Sequence, residues 1–126
     1  HGVGCFLGVH EGPISISKHS DCIIEKGMVI SNEPGYYRKG KYGIRIENLE
    51  IVSKRHFKNN NKKFLCFENI TRVPIETTLI NQAMLTQSEI NWINDYHYKV
   101  YSDLSKLISN SDTILLDFLK LKTKKI

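Results

Sequence analysis

Two carboxylates in the first half of the chain, Glu33 and Glu47, have the types and spacing that most invite chemistry. Glu33 closes the short apolar run Met28-Val29-Ile30. Glu47 lies inside the alternating run 42–52, and a glycine-containing connection joins the two. A β-hairpin brings two such positions together on one face of a sheet. Neighbouring carboxylates repel each other and are costly to desolvate, so a shared proton, an arginine or a metal ion must compensate. Arg45 falls on the same strand face as Glu47, and a purely structural ion pair is one reading. His1 supplies another. An imidazole with carboxylates suits a divalent ion of intermediate hardness, such as manganese, cobalt or zinc. Gly2 and Gly4 beside it allow close backbone approach.

These side chains need strands to hold them. Residues 1–53 are rich in glycine and β-formers. Residues 5–10 read as a short strand, Ile14-Ser15-Ile16-Ser17 as an extended segment, and Lys26-Gly27 as a turn before a buried strand at 28–30. Pro34-Gly35 reads as a reversal, and 42–52 as one long strand with alternating faces. Residues 54–63, with Asn59, Asn60 and Asn61 in a row, read as an exposed loop. The period then becomes helical. Thr86-Gln87-Ser88-Glu89 matches a capping box, followed by a stripe of Ile90, Ile93, His97, Val100, Leu104 and Leu107. Trp92 and Tyr96, four apart, extend that stripe. A second helix is expected from Ser111 or Asp112, carrying Ile114, Leu115, Phe118 and Leu119.

Composition excludes several classes. At 126 residues, with 40% hydrophobic and 25% charged, the chain is neither disordered nor large enough to build a wide cleft alone. No apolar run approaches the roughly 20 residues of a membrane span, and no signal peptide is visible. The net charge of +5 gathers at residues 54–63 and in the lysines of 120–125, without interleaved aromatic residues, so nucleic acid is not an expected partner. Cys5, Cys22 and Cys66 are odd in number and widely spaced, which predicts free thiols and a reducing, cytoplasmic setting.

Three strings occur in order: His1-Gly2-Val3-Gly4-Cys5-Phe6-Leu7-Gly8-Val9-His10-Glu11-Gly12-Pro13, then Asn32-Glu33-Pro34-Gly35-Tyr36-Tyr37, then Tyr42-Gly43-Ile44-Arg45-Ile46-Glu47-Asn48. They closely resemble the end of the catalytic domain of aminopeptidase P, the Xaa-Pro aminopeptidases of the pita-bread metallopeptidases. The resemblance continues through 64–75 and 86–98, notably Trp92-Ile93-Asn94-Asp95-Tyr96-His97. It implies an α+β fold: the C-terminal half of a pita-bread domain over 1–78, with antiparallel strands, then a helical C-terminal extension over 79–126.

The resemblance also implies roles. His1, Glu33 and Glu47 fall on metal ligands, Glu33 and His10 on catalytic positions, and His10, Tyr37 and Arg45 on positions that bind substrate or support the site. The implied cofactors are two divalent metal ions, manganese first. The implied reaction is hydrolysis of the first peptide bond where proline is second, by attack of a metal-bridging hydroxide. Proline has no backbone N–H and a fixed φ, which explains a specialised enzyme. Two further metal-binding aspartates of the family have no counterpart here, which suggests the closing piece of a longer enzyme, inactive by itself. The expected partners are then peptide substrates, the N-terminal remainder of that enzyme, and a second copy through the broad apolar stripe of the helical tail. The alternatives are a prolidase-type dipeptidase, or a metal-free pita-bread protein acting as a binding module. His19, His56 and His97 are read as non-functional, with His97 a hydrogen-bonded core residue.

Overall fold

A computed structural model describes residues 1–57 and 62–126. The centre of the loop expected at 54–63 lies outside the described residues. The chain forms two compact units, His1–Thr71 and Arg72–Ile126, so residues 72–78 belong to the second.

Among the described residues the first unit holds five strands: β1 (Val29–Asn32), β2 (Gly35–Arg38), β3 (Tyr42–Arg45), β4 (Asn48–Arg55) and β5 (Phe64–Asn69). They make two antiparallel sheets, one ordered β1-β4-β5 and one of β2 with β3. The single strand expected over 42–52 is therefore two strands in different sheets. The reason lies opposite it. Pairing runs from Val29↔Ile51 to Asn32↔Asn48, and resumes at Gly35↔Arg45. Between these stand Glu33 and Pro34, and proline cannot donate to a ladder. Only Pro34 O remains engaged, accepting from Ile46 N at 3.3 Å. Both chains change sheet at this level. Pro34-Gly35 is thus not the reversal expected from the sequence; Lys39-Gly40 is, with Gly40 at φ +69°.

The opening residues lie along the free edge of β1. Val3 N donates to Val29 O and Ser31 N to His1 O, each at 2.9 Å. Residues 5–10 do not form the expected strand. Gly2 pairs with Glu11 and closes the intervening residues into turns that carry no ladder. Residues 14–17 are not a strand either. The Ser17 hydroxyl accepts from His19 N, and Ser20 N donates to Ser17 O, so local bonds outcompete extension.

The second unit is helical. In α1 (Gln87–Leu104), Thr86 Oγ1 accepts from Glu89 N while Thr86 N donates to Glu89 Oε2, the reciprocal box expected from the sequence. In α2 (Thr113–Lys122), Asp112 caps by accepting from Leu115 N at 3.0 Å. Ile75, Tyr96, Val100 and Leu119 form the core. His97 is fully buried, as expected, and Nε2 accepts from Ile75 N at 3.1 Å. The apolar stripe is narrower than its sequence. Leu107 is tipped outward by a 3-10 turn at Ser105–Leu107. Trp92 stays half exposed against Tyr96, and of the α2 apolar residues only Leu119 is buried. No described helix is long and apolar enough to cross a membrane.

Candidate metal centre

Glu33 follows β1 and Glu47 precedes β4, so both stand at the base of the β2–β3 hairpin, where the chains change sheet. His1 reaches the same place because its carbonyl is bonded to Ser31 N. One donor atom from each of His1, Glu33 and Glu47 lies within 4.8 Å of the others. His1 and Glu33 are partly buried, and Glu47 faces solvent.

The donor set fits a divalent cation. His1 Nδ1 lies 2.9 Å from Gly2 O. A carbonyl can only accept, so Nδ1 donates to it, and Nε2 is the ring atom left to face the carboxylates. That is the second-sphere arrangement common to metal-binding histidines. Nε2 points at Glu33 Oε1, 3.1 Å away. At that separation a proton or a cation lies between the two atoms.

Arg45 supplies positive charge on the other side. Its Nη1 is 3.4 Å from Glu33 Oε2, and its Nε is 3.3 Å from Glu47 Oε2. The ion pair read from the strand alternation is therefore present, and Arg45 bridges both carboxylates. Its guanidinium is held above its ordinary range, first by the hydrogen bond with Tyr37, then by Tyr37 and Glu47 electrostatically, with Glu33 adding less. Arg45 thus remains charged at any working pH.

Tyr37 reaches Arg45 because two glycines make room. A Cβ at Gly43, its register partner, would come within 2.6 Å of the Tyr37 ring, and one at Gly35 within 2.6 Å of its hydroxyl. Gly35 is itself opposite Arg45 in the ladder. The His10 ring stands edge-on to His1, with centroids 5.2 Å apart. Of the six residues singled out by sequence, His1, His10, Glu33, Arg45 and Glu47 converge here, and Tyr37 reaches in through Arg45.

Sequence reasoning passed over Ser31. It is 2% exposed and donates to Glu33 Oε1 at 3.2 Å. The available signal was period two: on a strand, residue 31 shares a face with residue 33.

Comparison with known proteins supplies the family context. Residues 1–54 match metallopeptidase family M24, and residues 63–126 match the C-terminal region of peptidase M24. A probable Xaa-Pro aminopeptidase P of Coprinopsis cinerea is 47% identical over 131 residues, covering 100% of this chain and 21% of that protein. Xaa-Pro aminopeptidase 1 of Dictyostelium discoideum is 49% identical over 115 residues, covering 89% of this chain and 18% of that protein. The crystal structure of X-prolyl aminopeptidase from Caenorhabditis elegans, described as a cytosolic enzyme with a di-nuclear active site, matches with a TM-score of 0.87 at 38% identity. It covers 100% of this chain and 21% of that one. The chain thus spans about a fifth of the length of these relatives. The α+β architecture expected from the sequence, antiparallel strands followed by helices, is that of the matching part of the aminopeptidase.

Proposed function

The chain belongs to metallopeptidase family M24, and on that premise we propose that it supplies one wall of the catalytic centre of a dinuclear Xaa-Pro aminopeptidase. The observation that carries this reading is the convergence of His1, Glu33 and Glu47 within 4.8 Å, with Nδ1 of His1 tied to a carbonyl. His1, Glu33 and Glu47 hold the metals, and the remaining ligands come from other parts of the enzyme. Two divalent ions, manganese as first choice, supply Lewis acidity that polarises a carbonyl and acidifies water near neutral pH.

The chain's own residues do the rest. Glu33 accepts a proton from water on a carboxylate oxygen and passes it to the leaving nitrogen. Arg45 stands 3.4 Å from its other oxygen and balances its charge. His10 donates to the charge developing on the carbonyl oxygen. Tyr37 fixes Arg45, which in turn holds Glu33 and Glu47 apart at a constant spacing. The substrates are peptides with proline in second position.

The enzyme acts in the cytoplasm, in keeping with three free thiols and the cytosolic relative. It is a homodimer through the helical tail, where Ile114, Phe118 and Leu121 stand exposed on α2. Sedimentation of the full-length protein checks the dimer, and a strict monomer contradicts it. For the activity, the full-length protein with manganese should release the first residue from Xaa-Pro-Xaa tripeptides. Activity confined to Xaa-Pro dipeptides assigns it to the prolidase type instead, and no hydrolysis of either overturns the reading.

A further inference from the structure

We propose that Ser31 is a positioning residue that locks the Glu33 carboxylate into its metal-binding orientation. The proposal rests on the metal-centre reading above and adds a residue to it.

Ser31 lies in β1 and Glu33 directly follows it, two residues on, with its carboxylate on the same side as the Ser31 hydroxyl. Ser31 also carries the backbone bond that holds His1, its N donating to His1 O at 2.9 Å. The hydroxyl therefore stands between the two groups that the centre needs. Oγ lies 3.2 Å from Glu33 Oε1 and 3.5 Å from His1 O. A hydroxyl has one proton. The shorter, charge-assisted bond to the carboxylate takes it.

The Glu33 carboxylate is then gripped at both ends. Ser31 holds Oε1, and Arg45 holds Oε2 from 3.4 Å. Oε1 is also the oxygen that faces His1 Nε2. A carboxylate held by one end only can rotate about its terminal torsion, which is broad. Held by both, it keeps one oxygen turned toward the imidazole at no ordering cost when a cation arrives. The site is otherwise rich in exposed groups: the Glu47 side chain is 38% exposed and that of Arg45 48%. Ser31, at 2% exposure, is the buried, water-shielded anchor among them, and shielding is what makes a single hydrogen bond count.

Loss of such an outer partner costs about 10–100-fold in metal affinity. The test is manganese titration by calorimetry on the full-length protein and its Ser31→Ala, Ser31→Thr and Ser31→Val variants. Unfolding of the metal-free forms is followed in parallel. Ser31→Ala and Ser31→Val should each lose about tenfold or more in affinity for the tighter ion, while Ser31→Thr, which keeps the hydroxyl, stays within about threefold. Threonine and valine have nearly one shape, so a gap between them isolates the hydrogen bond. If Ser31→Thr and Ser31→Val fall together, or Ser31→Ala binds as tightly as the parent, the proposal is overturned while the metal centre stands. If the parent protein takes up no divalent ion, the metal centre falls and the proposal with it.

Discussion

The two compact units solve the problem of staying folded in opposite ways. In Arg72–Ile126 the buried set is mostly apolar: Ile75, Ile93, Tyr96, Val100 and Leu119, around one buried histidine. Each helix opens on its own cap. Among the described residues of His1–Thr71 the buried apolar ones are Ile30 and Val52, outnumbered by Ser31, Asn48 and Glu50. The site-bearing unit is held less by apolar burial than by strand ladders and polar contacts. The difference shows where chemistry is placed. Carboxylates and an arginine cannot be packed into an apolar core without large desolvation costs. They sit where backbone pairing fixes position and one side stays open.

That contrast predicts that substitutions separate into two classes. The largest effect belongs to Glu47→Gln, which keeps shape and removes charge. Turnover should fall about 10³-fold or more, beyond the cost of losing an outer-sphere partner. The thermal midpoint of the metal-free protein should barely move, and a large fall would show that Glu47 is structural. Next is Leu119→Ala, which empties part of the helical core and should cost about 2–5 kcal/mol. Calorimetric unfolding checks it, with metal affinity unchanged. A parallel loss of metal binding would break the separation of the units. Smaller again is Thr86→Ala, which removes the α1 cap at about 1 kcal/mol, readable in denaturant midpoints.

The smallest effect is in acid. The Glu76 carboxyl is held down to about 2, first by the Thr78 hydroxyl, then by Lys122 and the Thr78 N–H. Its folded pKa lies below its ordinary value, so its stabilisation is complete above about 4.5 and disappears as pH falls toward 2. Glu76 is largely solvent-exposed, so the slope is shallow. Glu76→Gln should flatten that limb of an acid titration without moving the rest, and an unchanged limb would remove Glu76 from the account.

Legibility in the sequence followed the same division. Local rules sufficed for the helical unit: Thr86 and Glu89 announced α1, Ser111 or Asp112 was the expected start of α2 and Asp112 is its cap, and the stripe placed His97 inside. What failed there was the end of the stripe, because a 3-10 turn at Ser105–Leu107 changes the period that Leu107 was judged by. In the strand unit the residues that the structure brings together stood out as strings, and the strands much less so. Alternation over 42–52 gave no sign that the pairing partner breaks at Pro34, which is a non-local fact. The turn at Lys39-Gly40 was masked by the stronger-looking Pro34-Gly35. Ser31 escaped notice because serine on a strand is unremarkable until its hydroxyl is seen against Glu33.

The central claim is that His1, Glu33 and Glu47 are metal ligands. Anomalous X-ray scattering at the manganese edge, from crystals of the full-length protein grown with manganese, tests it most directly. The account predicts two anomalous peaks, with ligand-distance contacts to Nε2 of His1 and to carboxylate oxygens of Glu33 and Glu47. Peaks elsewhere, or none while His1 remains bound directly to Glu33, would contradict it.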